Sequence, residues 1–425
     1  MLYKIKEAGY TLSEDAALSD VVVINTCGFI QSAKEEAIET ILEFAQLKRE
    51  GRIQKIIVTG CLAERYKDEV AKEIPEADAV IGIGCNGDIC DVIDRSLANR
   101  RVVEFGDKSS LAIEGGRILT TLPFFTYLKV AEGCDNRCTY CAIPLIRGNF
   151  RSLPMEKLLE EARSLAVRGV RELNVIAQDT TRYGEDLYGE LKLPQLLTEL
   201  CKIDGLHWIR VLYCYPERVT DELLEVMARE PKIVKYMDLP LQHVNGDVLR
   251  RMNRHGSAPE LKALLDKIRR KVPGITLRTT FITGFPGETE AQFEEMADFV
   301  REARFDRLGC FSYSKEDDTP AASMPNQIEE ELRKRRADQI MEIQMPIAEQ
   351  HNEAMMGKTV EVVVEGFDRY AECWFGRTAA DAPDIDGKIF FTIKEKPKLG
   401  QFVRVKVTDT MDYDLIGEVV DESAE

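Results

Sequence analysis

Apolar residues follow two rhythms along the chain, and the change between them divides it into domains. From Ser19 to about Leu97, short β-branched runs (VVVIN at 21–25, KIIVTG at 55–60, ADAVIGIG at 77–84) are separated by segments such as SAKEEAIETILEFAQLKRE. In those segments the apolar positions recur every three or four residues, as on one face of a helix. Strand and helix in alternation predict a parallel sheet in an α/β domain, assigned to residues 1–100. The rhythm breaks over 98–122 with charge and Gly115-Gly116, so 101–121 is expected to be a linker.

A second alternation runs from about Phe124 to Ser314, with six apolar strand segments: FFTYLKV, RELNVIA, HWIRVLY, VKYMDLP, ITLRTTFI and RLGCFSY. Helical stretches such as EKLLEEARSLAVRG and AQFEEMADFVREA lie between them. Six βα units fall short of the eight that close a full barrel, which predicts an open, partial (β/α)6 barrel over 122–356. Chemistry is then expected at the C-terminal ends of its strands. A charged helix, roughly Glu329 to Met356, ends this region. Beyond Gly357 the period drops to two, in TVEVVVEGF, AECWFGRT, GKIFFTI and GQFVRVKVTD, which predicts a small antiparallel β-barrel over 357–425.

Composition narrows the class. A chain of 425 residues with 31% charged and 44% apolar residues has the make-up of a globular protein of two or three domains. No stretch approaches the roughly 20 consecutive apolar residues of a membrane helix, and the first twenty residues lack the apolar segment of a secretory signal. A cytoplasmic location is expected. Eleven cysteines, an odd number, suit a reducing compartment, where clustered thiols point to metal or catalysis. The net charge of −17 argues against a broad grip on nucleic acid and for a basic partner. The last barrel alone carries fifteen acidic and nine basic residues between Lys358 and Glu425, a net of −6.

The densest chemistry is EGCDNRCTYCAIPLIRG at 132–148, which places Cys134, Cys138 and Cys141 within eight residues. A structural zinc site takes a fourth thiol or imidazole, and the next histidine is His207. An iron–sulfur cluster takes one thiolate per iron, so three thiolates on a four-iron cluster leave one iron open.

Cys-x3-Cys-x2-Cys with an aromatic residue, Tyr140, before the third cysteine, just after the strand FFTYLKV, resembles the signature of radical S-adenosylmethionine enzymes. The resemblance implies that the open iron binds the amino and carboxylate groups of S-adenosyl-L-methionine. It also implies that an electron from the cluster cleaves this cofactor to methionine and a 5′-deoxyadenosyl radical. Cys27 in VVVINTCGFI and Cys61 in VTGCLAERY each follow an apolar strand and resemble auxiliary-cluster ligands of the methylthiotransferases. That family joins an N-terminal α/β domain, a partial barrel and a C-terminal TRAM β-barrel, and the resemblance therefore implies two [4Fe-4S] clusters. The family's third auxiliary ligand and first strand are absent from this chain, which begins within the helix MLYKIKEAGY; a late start or a trimmed sequence is the expected reason. Cys85 and Cys90 match no family ligand.

The family has two branches, one acting on an adenosine base of transfer RNA and one on a ribosomal protein, the RimO type. IAQDTTRYGEDLYG, with Gln178, Asp179, Thr180 and Tyr183-Gly184, resembles the second, whereas DLPLQHVNGDVLRRMNR is shared by both. The acidic last barrel also favours a basic protein over RNA. The resemblance implies addition of a methylthio group to the β-carbon of an aspartate in the twelfth protein of the small ribosomal subunit. It further implies an electron donor such as a flavodoxin or ferredoxin, a monomer, and cofactor contacts at Tyr140, Gln178, Gln242 and Gly284. No catalytic side chains are expected beyond the clusters. Other readings stand beside these: Asp179 and Thr180 ordering a loop, His243 as a packed histidine, Gly284 and Gly287 in a plain turn, and Arg147 and Arg151 holding a carboxylate or simply solvated.

Overall fold

β-Branched runs become buried parallel strands where their side chains are covered, and both alternating regions of the chain form such strands. The computed structural model describes residues 1–110 and 116–421 and divides into two compact units. The first gathers Met1–Ile118, Glu132–Phe150 and Ser314–Ser323; the second gathers Leu119–Ala131, Arg151–Tyr313 and Met324–Glu425. The three-cysteine run therefore belongs to the same unit as the N-terminal α/β segment.

In the first unit, β1 (Val21–Thr26), β2 (Lys55–Gly60), β3 (Ala79–Ile81) and β4 (Val102–Glu104) form a parallel sheet in that order. Around it lie α1 (Leu2–Glu7), α2 (Gln31–Arg49), α3 (Cys61–Glu73) and α4 (Ile89–Leu97). Val22, Ile24, Ile41, Val58 and Leu62 share one core, and Ile57, Ala79, Ile81, Ile89 and Val92 another. β4 corrects the expected linker: Val102 pairs with Ala79, so residues 102–104 are an edge strand. Only Val102 of its three residues is buried, which leaves too little alternation to recognise. Residues 111–115 of that segment lie outside the described residues. The segment 314–323 is held by charge: Arg65 of α3 donates to Glu316 at 2.8 Å and to the Gly28 carbonyl at 2.9 Å, and Lys34 of α2 lies 3.2 Å from the same Glu316 oxygen.

In the second unit, six strands run parallel in chain order across one sheet: β5 (Phe125–Lys129), β6 (Glu172–Ile176), β7 (Trp208–Val211), β8 (Ile233–Asp238), β9 (Thr276–Thr283) and β10 (Arg307–Ser312). The helix Glu290–Ala303 shows how the sequence sets an element. Thr289 and Gln292 form a reciprocal capping box, Phe293, Met296, Ala297 and Val300 bury one stripe, and Arg304 ends it at φ +48.

The helix Glu330–Glu353 leads to the last barrel, β11 (Thr359–Asp368), β12 (Cys373–Thr378), β13 (Ile389–Thr392), β14 (Phe402–Met411) and β15 (Asp414–Asp421). It is closed, and it corrects the antiparallel expectation in one place: β13 and β15 pair in parallel, with Ile389 opposite Leu415. β15 itself was not among the strands expected, because Gly417 interrupts its alternation. A buried ionic cluster joins this barrel to the parallel sheet. Glu172, the first residue of β6, accepts from Arg377 of β12 at 2.5 Å and from Arg210 of β7 at 3.1 Å, while Arg377 also donates to Glu365 at 2.7 Å. The side chains of Glu172, Arg210 and Arg377 are at most 1% exposed.

Candidate metal centre

At the C-terminal edge of the first sheet, Thr26 of β1 is in register with Gly60 of β2, so Cys27 and Cys61 leave neighbouring strands side by side. Gly60 has φ +100, and a Cβ there would stand 2.6 Å from the Thr26 nitrogen. Only glycine fits this approach. Cys27 is exposed, and Cys61, the first residue of α3, is half-buried. Gly60→Ala is expected to destabilise the protein by more than about 1 kcal/mol, through strain at positive φ and contact with β1. A urea titration of the two proteins measures it.

The run 132–148 folds back on itself. Cys134 N–H donates to the Gly148 carbonyl at 3.1 Å, Cys141 N–H to the Cys138 carbonyl at 3.0 Å, and Phe150 N–H to Asp135 at 3.2 Å. Cys134, Cys138, Cys141 and Tyr140 are all half-buried. Three thiols on one loop, neither sealed in the core nor fully in solvent, fit the three-thiolate ligation of a four-iron cluster. The loop passes into the short helix α5 (Ile143–Arg147), which packs against α3. There the guanidinium of Arg147 lies 3.3 Å from Cys61 Sγ and 3.7 Å from Glu132. This side chain, named in the sequence as a possible carboxylate holder, is instead turned toward a cysteine 86 residues away, a contact no local pattern could disclose. Arg151 is half-buried in the second unit.

The remaining candidates stand beyond the C-terminal ends of β6, β8 and β9. Gln178 is half-buried. Its neighbours order the loop: buried Asp179 accepts from Thr181 at 2.7 Å and from Arg218 at 2.9 Å, and Thr180 Oγ1 accepts from Ala177 N–H at 2.9 Å. Gln242 adopts φ +68 with its backbone bonded to Thr280 and Ile282 of β9, and its Oε1 is buried with no hydrogen-bond partner among the described residues. A buried acceptor in that condition is costly unless a ligand donor meets it, which suits a cofactor carrying an amino group.

His243 is fully buried. Its Nδ1 accepts from Asn245 N–H at 3.0 Å, and its Nε2 lies 3.3 Å from Glu288. Both Glu288 oxygens accept from Gly284 N–H at 3.0 Å, and Arg336 donates to one of them at 2.8 Å. Gly284 has φ +72, and a Cβ there would stand 2.8 Å from Cβ of Arg333. The turn and that approach by themselves account for glycine at 284. Glu288, which holds the turn, was not singled out in the sequence, although its place four residues after Gly284 in TGFPGETE is the signal for it.

Residues 128–300 match the Radical SAM superfamily, residues 356–420 the TRAM domain, and residues 1–82 a family described as the uncharacterized protein family UPF0004. Among solved structures, the radical S-adenosylmethionine methyltransferase TsrM from Kitasatospora setae, with cobalamin and a [4Fe-4S] cluster bound, superposes with a TM-score of 0.54 at 13% identity. The match covers 72% of this chain and 66% of that one, and is a likeness of fold. Sequence similarity is much closer to proteins named ribosomal protein uS12 methylthiotransferase RimO. The protein of that name from Lachnoclostridium phytofermentans is 49% identical over 98% of this chain and 95% of its own length. The one from Desulforamulus reducens is 47% identical over 99% and 95%, and that from Clostridioides difficile 45% identical over 100% and 96%. Similarity this high, sustained through all three segments rather than within the shared barrel alone, separates this branch from other radical enzymes: the chain belongs to the RimO family of methylthiotransferases, within the radical S-adenosylmethionine superfamily.

Proposed function

We propose that this transferase replaces a hydrogen on the β-carbon of an aspartate in ribosomal protein uS12 with a methylthio group. The observation that carries the reading is the full-length identity to enzymes of that name, in a chain whose three-thiol loop directly follows the first barrel strand. Cys134, Cys138 and Cys141 would hold a [4Fe-4S] cluster, and Cys27 and Cys61 would be two of the ligands of a second. When bound, the first cluster supplies the electron that cleaves S-adenosylmethionine, and with it the power to take hydrogen from an unactivated C–H bond that acid–base groups do not reach. Tyr140, Gln178, Gln242 and the turn at Gly284 would line the cofactor, with Gln242 Oε1 accepting from its amino group. Arg147 would hydrogen-bond the Cys61 thiolate.

The reading includes a cytoplasmic monomer supplied with electrons by a flavodoxin or ferredoxin. Among the described residues no helix is long and apolar enough to cross a membrane. The test is competition between targets: the full chain, reconstituted anaerobically, is given reductant, S-adenosylmethionine and either uS12 or transfer RNA. Mass spectrometry is expected to find methylthio-aspartate in the protein and unmodified RNA. Methylthiolated adenosine in the RNA, with uS12 unchanged, would overturn the assignment.

A further inference from the structure

Tyr213 stands two residues beyond β7, at the C-terminal end of the parallel sheet of the second unit. Its backbone has φ +60, a left-handed conformation that glycine or asparagine takes readily and a bulky aromatic residue does not. Three hydrogen bonds hold it there. Its N–H donates to Asp238 Oδ2 at 3.1 Å, its carbonyl accepts from Thr180 N–H at 3.0 Å, and Cys214 N–H donates to the Asp238 carbonyl at 2.9 Å. Asp238, which ends β8, is itself 2% exposed and takes Arg278 at 2.9 Å on its other carboxylate oxygen. Loops and strand ends from β6, β7 and β8 thus cooperate to impose one strained residue.

The result of that strain is a side chain turned outward. Leu212 and Cys214 are each 2% exposed, whereas Tyr213 between them is 44% exposed, and its hydroxyl has no hydrogen-bond partner among the described residues. Strain over-determined in this way marks places where a side chain must be presented rather than packed. Arg278, which acts on this residue, is already matched by Asp238 at 2.9 Å. The phenol is an uncharged donor left for a ligand.

Resting on the function proposed above, we infer that Tyr213 is a positioning residue for the target side chain. Its O–H donates to the target carboxylate, which presents the adjoining β-carbon for loss of its hydrogen atom. The test follows that atom and does not depend on sulfur transfer. uS12 deuterated at the aspartate β-carbon is incubated with the reconstituted full chain. Total 5′-deoxyadenosine, and the fraction of it carrying deuterium, are then measured for wild type, Y213F and Y213N. Phenylalanine keeps the ring without the donor, and asparagine tolerates the left-handed backbone, so loss of folding does not decide the outcome.

Total 5′-deoxyadenosine is expected to stay within about twofold, while the deuterated fraction falls about tenfold or more in both variants, as small misplacements of reacting atoms do. A wild-type fraction in Y213F overturns the inference, whatever Y213N does. So does an equal collapse of total 5′-deoxyadenosine in both variants, which would place Tyr213 on the cofactor instead. Deuterium absent even with wild type refutes the assignment of this target, and the inference with it.

Discussion

Replacing Cys138 with alanine abolishes cleavage of S-adenosylmethionine: 5′-deoxyadenosine from the anaerobically reconstituted variant is expected to fall below detection. The physical reason is ligand count. Each iron of the cluster needs a thiolate or another ligand, and the loop offers three thiols for four irons. Removing the middle one leaves two irons without protein ligands, and a cluster so held is lost or degraded. Iron and sulfide content per chain should drop together with the visible absorption, which separates loss of the cluster from loss of catalysis alone. Cys201→Ala is the matched control. Burial pushes the Cys201 thiol up to about 11, leaving it protonated and a poor metal ligand, so its loss should leave iron content unchanged. An iron content in the Cys138 variant equal to wild type would refute this ligand assignment.

The largest effect on stability is expected from Arg377→Ala. That guanidinium serves two buried carboxylates, Glu172 and Glu365, and its removal strands Glu172 with Arg210 alone. Breaking a buried ion pair from one side costs about 3–5 kcal/mol, because the remaining charge stays in a medium that solvates it poorly. Against a typical total of about 5–15 kcal/mol for a folded domain, this is a large fraction. Urea unfolding followed by circular dichroism measures it, and a change under about 1 kcal/mol would show the cluster to be energetically idle.

The same cluster makes a pH prediction. Burial pushes the Glu172 carboxyl upward, but Arg377 and Arg210 outweigh it and hold the group below its ordinary range. A carboxylate depressed in the folded state contributes stability that is present above its unfolded pKa, about 4.3, and is lost as pH falls through the lower folded value. Without Arg377 the depression shrinks or reverses, so the acid-unfolding midpoint of the variant should move to higher pH.

The parallel strands were legible because buried β-branched runs such as KIIVTG and the helical segments between them differ in period. Strands that are short or broken were not: Val102–Glu104 offers a single buried residue, and Asp414–Asp421 carries Gly417 in its middle. The parallel pairing of β13 with β15 has no local signature at all, since it depends on which edges remain open once β14 has paired with β11. In the site, thiol spacing was legible because Cys134, Cys138 and Cys141 lie on one loop. The approach of Cys27 to Cys61 was legible in part, since each follows a strand. The turn of Arg147 toward Cys61 and the left-handed backbone at Tyr213 were not, because each is imposed by residues far away in the sequence.

The clasp of Arg65 and Lys34 on Glu316 has a consequence for synthesis. Arg65 and its carboxylate are separated by 251 residues, so the first unit, although mostly N-terminal, lacks one of its buried counter-charges until Arg151–Tyr313 of the second has been made. At the usual pace of elongation, about 5–20 residues per second, a nascent chain waits roughly 10–50 s with that guanidinium unmatched. The N-terminal sheet can form early on the ribosome, but the guanidinium of Arg65 meets its carboxylate only once the 314–323 segment arrives.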